Sequence, residues 1–127
     1  IIVVPDLFVR KFMMFKDGDI ITVLPGGWGT VDEFAEFAVT IQTRQILKKP
    51  LIFVNLNGFW NPLKDLLEVM RENGCVNNTR LDFVAFVDNV DEVLPKAEQI
   101  ASTVCADEIK KVKEELKRIK NKPREVQ

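Results

Sequence analysis

Residues 20–33 read IITVLPGGWGTVDE, and this stretch decides the fold. Ile20, Ile21, Thr22, Val23 and Leu24 form a short β-branched, apolar run of strand length. Pro25, Gly26, Gly27, Trp28 and Gly29 interrupt it, and a helical pattern follows. The three glycines let the backbone turn sharply and approach a ligand with no Cβ in the way. The helix beyond offers unpaired N–H groups and the positive end of its dipole, which suits a phosphate. Glu33 sits one turn inside that helix, so an anion cradle lies beside a carboxylate. A second reading needs no ligand: Thr30 and Glu33 make a T-x-x-E capping box that satisfies helix-start N–H groups. Three glycines and a tryptophan exceed what such a cap requires. The dinucleotide pattern G-x-G-x-x-G does not fit here, and no Gly-Lys-Ser/Thr follows, so a phosphate would be held by backbone and hydroxyl without a loop lysine.

Working outward, strand and helix alternate. The opening run Ile1, Ile2, Val3, Val4, Pro5 is already a buried-strand pattern, with no initiator methionine and no signal-peptide architecture. The chain is therefore expected to be the later part of a larger α/β domain. Asp6 starts a helix to about Lys16, with Phe8, Phe12 and Phe15 as its core stripe and Gly18 as its end. A helix is expected from Val31 to about Leu47, burying Phe34, Ala38, Ile41 and Ile46. Pro50 introduces a strand at residues 51–54, and 55–60 is a loop. Asn61 caps the next helix, with Pro62 at its first position and an end near Gly74. Residues 83–87 form a strand, and Val90 to about Val104 another helix. Four parallel strands, at 1–4, 20–24, 51–54 and 83–87, are expected, with helices on both faces of the sheet. Ligands of such sheets bind beyond the carboxyl ends of the strands, where the glycine loop lies.

Composition narrows the chemistry. The chain has 127 residues, 46% of them hydrophobic, enough for one globular unit with a real core. A net charge of −1 gives no field to attract nucleic acid, and no apolar run approaches the roughly 18 residues of a membrane span. Histidine is absent, which removes the usual general base, histidine metal sites and Ser-His or Cys-His catalysis. Cys75 and Cys105 are too few and too far apart for a metal cluster or disulfide framework. They read as free thiols of a reducing, cytoplasmic compartment.

Two charged features remain. Arg10 and Lys11 lie early in a helix, where cations oppose the dipole; they are either surface residues or companions of a local anion. From 105 to 127 the chain reads as a separate charged helix and tail beyond a domain spanning 1–104. Ile109, Val112, Leu116 and Ile119 keep a 3-4-3 spacing, and Glu114 and Arg118 stand at i, i+4. Residues 110–124 carry eight basic side chains. That segment is a solvated helix on its own subunit or a dimer mate, or else it touches an acidic partner.

Val9, Arg10 and Lys11 with Met13 and Met14, followed by Pro25, Gly26, Gly27, Trp28, Gly29, Thr30, Val31, Asp32 and Glu33, resemble the LOG family, phosphoribohydrolases of cytokinin nucleotides. The family pattern is an arginine–lysine pair and then P-G-G-x-G-T-x-x-E, and each fixed position is met. The resemblance runs from residue 1 to about Ala97, the later half of a Rossmann-like domain whose early portion is missing from this sequence. It implies Arg10 and Glu33 as the catalytic pair, with Lys11, Gly26, Gly27, Gly29 and Thr30 binding substrate through the 5′-phosphate. The implied reaction cleaves the N-glycosidic bond of a nucleoside 5′-monophosphate, AMP or an N6-modified cytokinin form, without metal or cofactor. The older label of this family, lysine decarboxylase-like, finds no cofactor-binding lysine motif here. The resemblance also implies a homodimer or higher homo-oligomer with the helix 31–47 near a twofold. Molybdenum-cofactor carrier proteins resemble the same fold and a similar loop. A non-catalytic carrier of a phosphorylated ligand is therefore the alternative, along with an inactive relative.

Overall fold

The computed structural model describes residues 19–77 and 81–122. The expected strand at 1–4, the helix at 6–16, and Arg10 and Lys11 lie outside them. Three strands are described: β1 (Ile21–Val23), β2 (Leu51–Val54) and β3 (Val84–Val87). They form a parallel sheet in the order β1-β2-β3, with Leu51 opposite both Ile21 and Val84. All four residues of β2 are buried. A central parallel strand is covered on both faces, so an uninterrupted apolar run is what it needs.

The pleat of β2 sends its side chains to two cores. Leu51 and Phe53 join Val23, Phe37, Ile41, Trp60 and Phe83 in one cluster, whereas Ile52 and Val54 pack with Val87, Val93 and Ala97 in the other. The first face is covered by α1 (Trp28–Gln42), with Leu63 of α2 (Asn61–Glu72) against the same cluster. The second is covered by α3 (Val93–Ile100). The expected α/β sandwich is thus present in the described residues. No helix among them is long and apolar enough to cross a membrane.

Several boundaries differ from the sequence reading. Helix α1 starts at Trp28, three positions before Val31, because the Gly27 carbonyl already accepts the Val31 N–H at 3.1 Å. Thr30 therefore lies inside the helix, and no side chain caps its start, so the Thr30–Glu33 capping box does not form. The helix stops at Gln42, not Leu47. Gln45 N–H returns to the Thr40 carbonyl and Arg44 N–H to that of Ile41, with Arg44 at φ 58°. This is a Schellman closure with an arginine in the left-handed position that glycine normally fills. Ile46 still packs on the core, from the connection rather than the helix. Helix α2 closes the same way with Gly74 at φ 73°, but it starts after Trp60 with Asn61 already helical. The segment from Val90 divides into a 3-10 turn (Val90–Glu92), α3, a π turn (Ala101–Cys105) and α4 (Ala106–Lys120). The helix thus runs past the expected end at Val104. At the π turn Thr103 and Ser102 hydroxyls donate to the Gln99 carbonyl, at 2.8 and 3.1 Å, satisfying an acceptor beside the widened backbone ring.

The Arg44 closure makes a signed prediction. A residue with a Cβ pays a steric cost in the left-handed region that glycine does not. Arg44→Gly is expected to raise stability by about 0.5–1 kcal/mol, read as a higher urea midpoint at unchanged m-value. An equal or lower midpoint would show that the arginine side chain makes good its own backbone cost.

Candidate functional site at the carboxyl edge of the sheet

All three described strands end at one edge, and the segments leaving them build the site. Leu24–Gly27 leaves β1 and runs into α1. Gly26, Gly27 and Gly29 are exposed, and Trp28 is 89% exposed. The glycines differ in purpose. A Cβ on Gly26 would collide with the Thr30 side chain, whereas one on Gly27 or Gly29 would meet nothing within 4 Å among the described residues. Gly26 is thus required by packing within the chain. Gly27 and Gly29 instead leave open space beside the first N–H groups of α1, where no acidic residue occupies the first turn. Thr30 is half-buried and Glu33 exposed. Glu33 follows Gly29 and Thr30 by one helical turn, so the three share a face, with the Thr30 and Glu33 Cβ atoms about 5–6 Å apart.

The segment leaving β2 is built more tightly than a plain loop. Asn55 N–H donates to the Val87 carbonyl at 2.7 Å, holding the segment to the end of β3. Asn55 Oδ1 accepts the Trp60 N–H at 2.6 Å, and Asn55 Nδ2 donates to Asn61 Oδ1 at 2.8 Å. Asn61 thus serves this bridge and does not cap α2. Between them Asn57 and Gly58 both take left-handed backbone, φ 52° and 74°, and a Cβ on Gly58 would press on Asn61 Nδ2. Asparagine and glycine are the residues that tolerate this turn.

The bridge fixes Trp60, which ties the two loops together. Its ring meets Phe34 of α1 edge-on at 5.7 Å and Phe53 of β2 at 5.5 Å, while Phe34 and Phe53 meet at 4.9 Å. Phe53 also stacks on Phe86 at 4.8 Å. Phe34 is the neighbour of Glu33, so the helix that carries the carboxylate is seated by this aromatic cluster. Trp60 Nε1 is buried with no hydrogen-bond partner among the described residues, a cost of about 1–3 kcal/mol borne for the packing. Sequence reading placed Asn55–Trp60 as a loop and missed the roles of Asn55, Gly58 and Trp60. The available signal was an asparagine and a glycine three residues apart, directly after a strand.

Both cysteines are free thiols, as expected. Burial and then the nearby Glu108 and Asp82 carboxylates push the Cys105 thiol up, which keeps it protonated and unreactive.

A family model described as "possible lysine decarboxylase" matches residues 1–97, the same extent as the resemblance drawn from the glycine loop. The chain belongs to this family, the LOG family. Among its curated relatives is a "probable cytokinin riboside 5′-monophosphate phosphoribohydrolase", LOG4 of Oryza sativa subsp. japonica, 33% identical over 100 residues that cover 79% of this chain and 43% of the relative. The cytokinin riboside 5′-monophosphate phosphoribohydrolase LOG3 of Arabidopsis thaliana is 30% identical over 109 residues, 80% of this chain and 50% of the relative. Another from the same plant, LOG7, is 26% identical over 116 residues, 86% and 53%. The chain spans about half the length of the curated relatives it matches.

Removing the Asn55 side chain strips the acceptor from the Trp60 N–H and the donor from Asn61. Asn55→Ala is expected to lower stability by about 1–3 kcal/mol, and Asn55→Asp, which keeps the acceptor, by less. Chemical denaturation of the two variants gives the order. Equal losses would mean that the Trp60 N–H contributes nothing.

Proposed function

We propose that the whole protein hydrolyses the N-glycosidic bond of a nucleoside 5′-monophosphate, AMP or an N6-modified form, to free base and ribose 5-phosphate. The observation that carries this reading is the open glycine face of Gly27 and Gly29, with Glu33 one turn beyond it, in a chain of the LOG family. The relatives' names state phosphoribohydrolase activity, in contrast to the decarboxylase of the family's description.

In this reading the N–H groups of Gly27, Trp28 and Gly29 and the Thr30 hydroxyl receive the 5′-phosphate, the arrangement that suits anions at a helix start. Water then adds to the anomeric carbon as the bond to the base nitrogen breaks. The electron pair leaves with the base, which takes up a proton, and the hydroxyl stays on ribose 5-phosphate. Positive charge develops on the sugar during this step, and Glu33 stabilises it or activates the water. Arg10 and Lys11 enter from their places in the family pattern. A guanidinium stays charged at any working pH and can orient Glu33 or hold the sugar phosphate. The early portion of the domain supplies the rest of the pocket.

Glu33→Gln in the complete protein should lower the turnover of AMP by about 100-fold or more while nucleotide affinity stays nearly intact. Among the described residues no contact depends on this carboxylate, since the capping box is not formed and Glu33 is exposed. Arg10→Ala should also cut turnover, with a modest rise in KM. The readout is free base released from AMP. If Glu33→Gln keeps its turnover, or the intact protein binds AMP without cleaving it, the hydrolase reading fails and a carrier of a phosphorylated ligand takes its place.

Gly29→Val tests the phosphate cradle separately. Its Cβ meets no atom within 4 Å, so a binding defect reports on the ligand. AMP binding should weaken with little change for adenosine, measured by calorimetry. Equal loss for both would remove the phosphate assignment.

A further inference from the structure

Helix α4 lies beyond the stretch matched by the family model and takes no part in the proposed site. Every residue from 113 to 122 is exposed, and past Glu115, which borders a cleft against residues 44–48, the end of this helix stands free of its own body. It nevertheless carries an apolar stripe: Ile109, Leu116 and Ile119 are 42%, 59% and 62% exposed, and Val112 is half-buried. The 3-4-3 spacing of these four residues is that of the a and d positions of a two-stranded coil. With Ile109 and Leu116 at a, and Val112 and Ile119 at d, the flanking g positions are Glu108 and Glu115, and the flanking e positions are Lys113 and Lys120.

From this charge pattern we infer that α4 pairs with α4 of a second copy of this chain, in parallel and in register. In a parallel coil each g position faces the following e position of its partner, so Glu115 meets Lys120 of the second copy and Lys120 meets that copy's Glu115. In an antiparallel coil g faces g and e faces e, which would set glutamate against glutamate and lysine against lysine. The same charges thus favour one orientation and disfavour the other. Glu108 stays with its own body, where its Oε1 accepts the Lys48 N–H at 2.6 Å, and that bond fixes the base of the stripe.

Two heptads are too few to hold isolated peptides together. Here they continue a helix that begins at Val93 and is anchored through Val93, Ala97 and Ile100 in the core. Acidic residues in the first turn of α4 and basic ones in its last turn, Lys117, Arg118 and Lys120, further support the helix. The ordering cost of the pairing segment is therefore met largely by the fold, which is how preorganisation strengthens association.

The test is disulfide trapping in the complete protein carrying Cys75→Ser, so that the exposed native thiol does not interfere. Ile119→Cys, at a d position, should give a disulfide-linked dimer under mild oxidation at micromolar concentration. Lys117→Cys, two residues away and facing outward, should give about tenfold less, and the parent none. On the Ile119→Cys background, Glu115→Lys and Lys120→Glu should each reduce trapping several-fold, and the double reversal should restore it to within about twofold. All these positions are exposed, so the fold survives each change. Equal trapping at 117 and 119, or a double reversal that fails to restore it, overturns the parallel pairing. A dimer joined through another surface gives that negative result as well, because like residues at 119 then stay apart.

Discussion

The seat of Phe53 is the contact on which the rest depends. Its ring lies between Phe34, Trp60 and Phe86, so one side chain from the central strand touches α1, the segment entering α2, and β3. Aromatic pairs of this edge-on and offset kind contribute about 0.5–1.5 kcal/mol beyond their buried area. Their greater effect here is positional. The glycine loop is short and Gly27 and Gly29 pack on nothing described, so the direction of α1, and with it the first-turn N–H groups and Glu33, is set by what Phe34 and Phe37 bury. A functional edge made of solvent-exposed backbone needs such a rigid floor, since it has no packing of its own.

Much of the architecture is legible in the sequence because burial is written into it plainly. Leu51 to Val54 is apolar without interruption, and only a strand covered on both faces demands that. The three glycines before a helical pattern likewise mark the candidate site's edge. What is not legible is where competing hydrogen-bond partners win. The T-x-x-E pattern of Thr30 and Glu33 satisfies the rule for a capping box, yet the Gly27 carbonyl begins the helical ladder three residues earlier and leaves Thr30 no cap to make. Asn61 before Pro62 looks like a cap as well, and its side chain is instead engaged by Asn55. Short polar residues offer several local bonds of similar strength, so their choice is settled by tertiary geometry that single-sequence patterns do not contain.

Arg44 illustrates the same limit from the backbone side. Apolar spacing continues through Ile46, and spacing alone extends α1 to Leu47. The chain instead turns at the left-handed Arg44, and Ile46 packs on the core from the connection that follows. The candidate site is legible in part: the loop glycines, Thr30 and Glu33 could be named from their pattern. The supporting bridge of Asn55, Gly58 and Trp60 could not, because its meaning lies in contacts between segments distant in sequence.

The π turn at Ala101–Cys105 has a consequence for how this helix tolerates changes in length. A π ring holds one more residue than an α ring, and an α-helix advances about 100° per residue. Excising a single residue there would let the ring close to an ordinary turn, so the bulge takes up the deletion and the helix beyond it keeps close to its present facing, while the stripe of Val93, Ala97 and Ile100 stays on the sheet. The turn is thus the one place in the described helix where an indel is absorbed without disturbing the core. It keeps the facing of the protruding half independent of one residue of helix length.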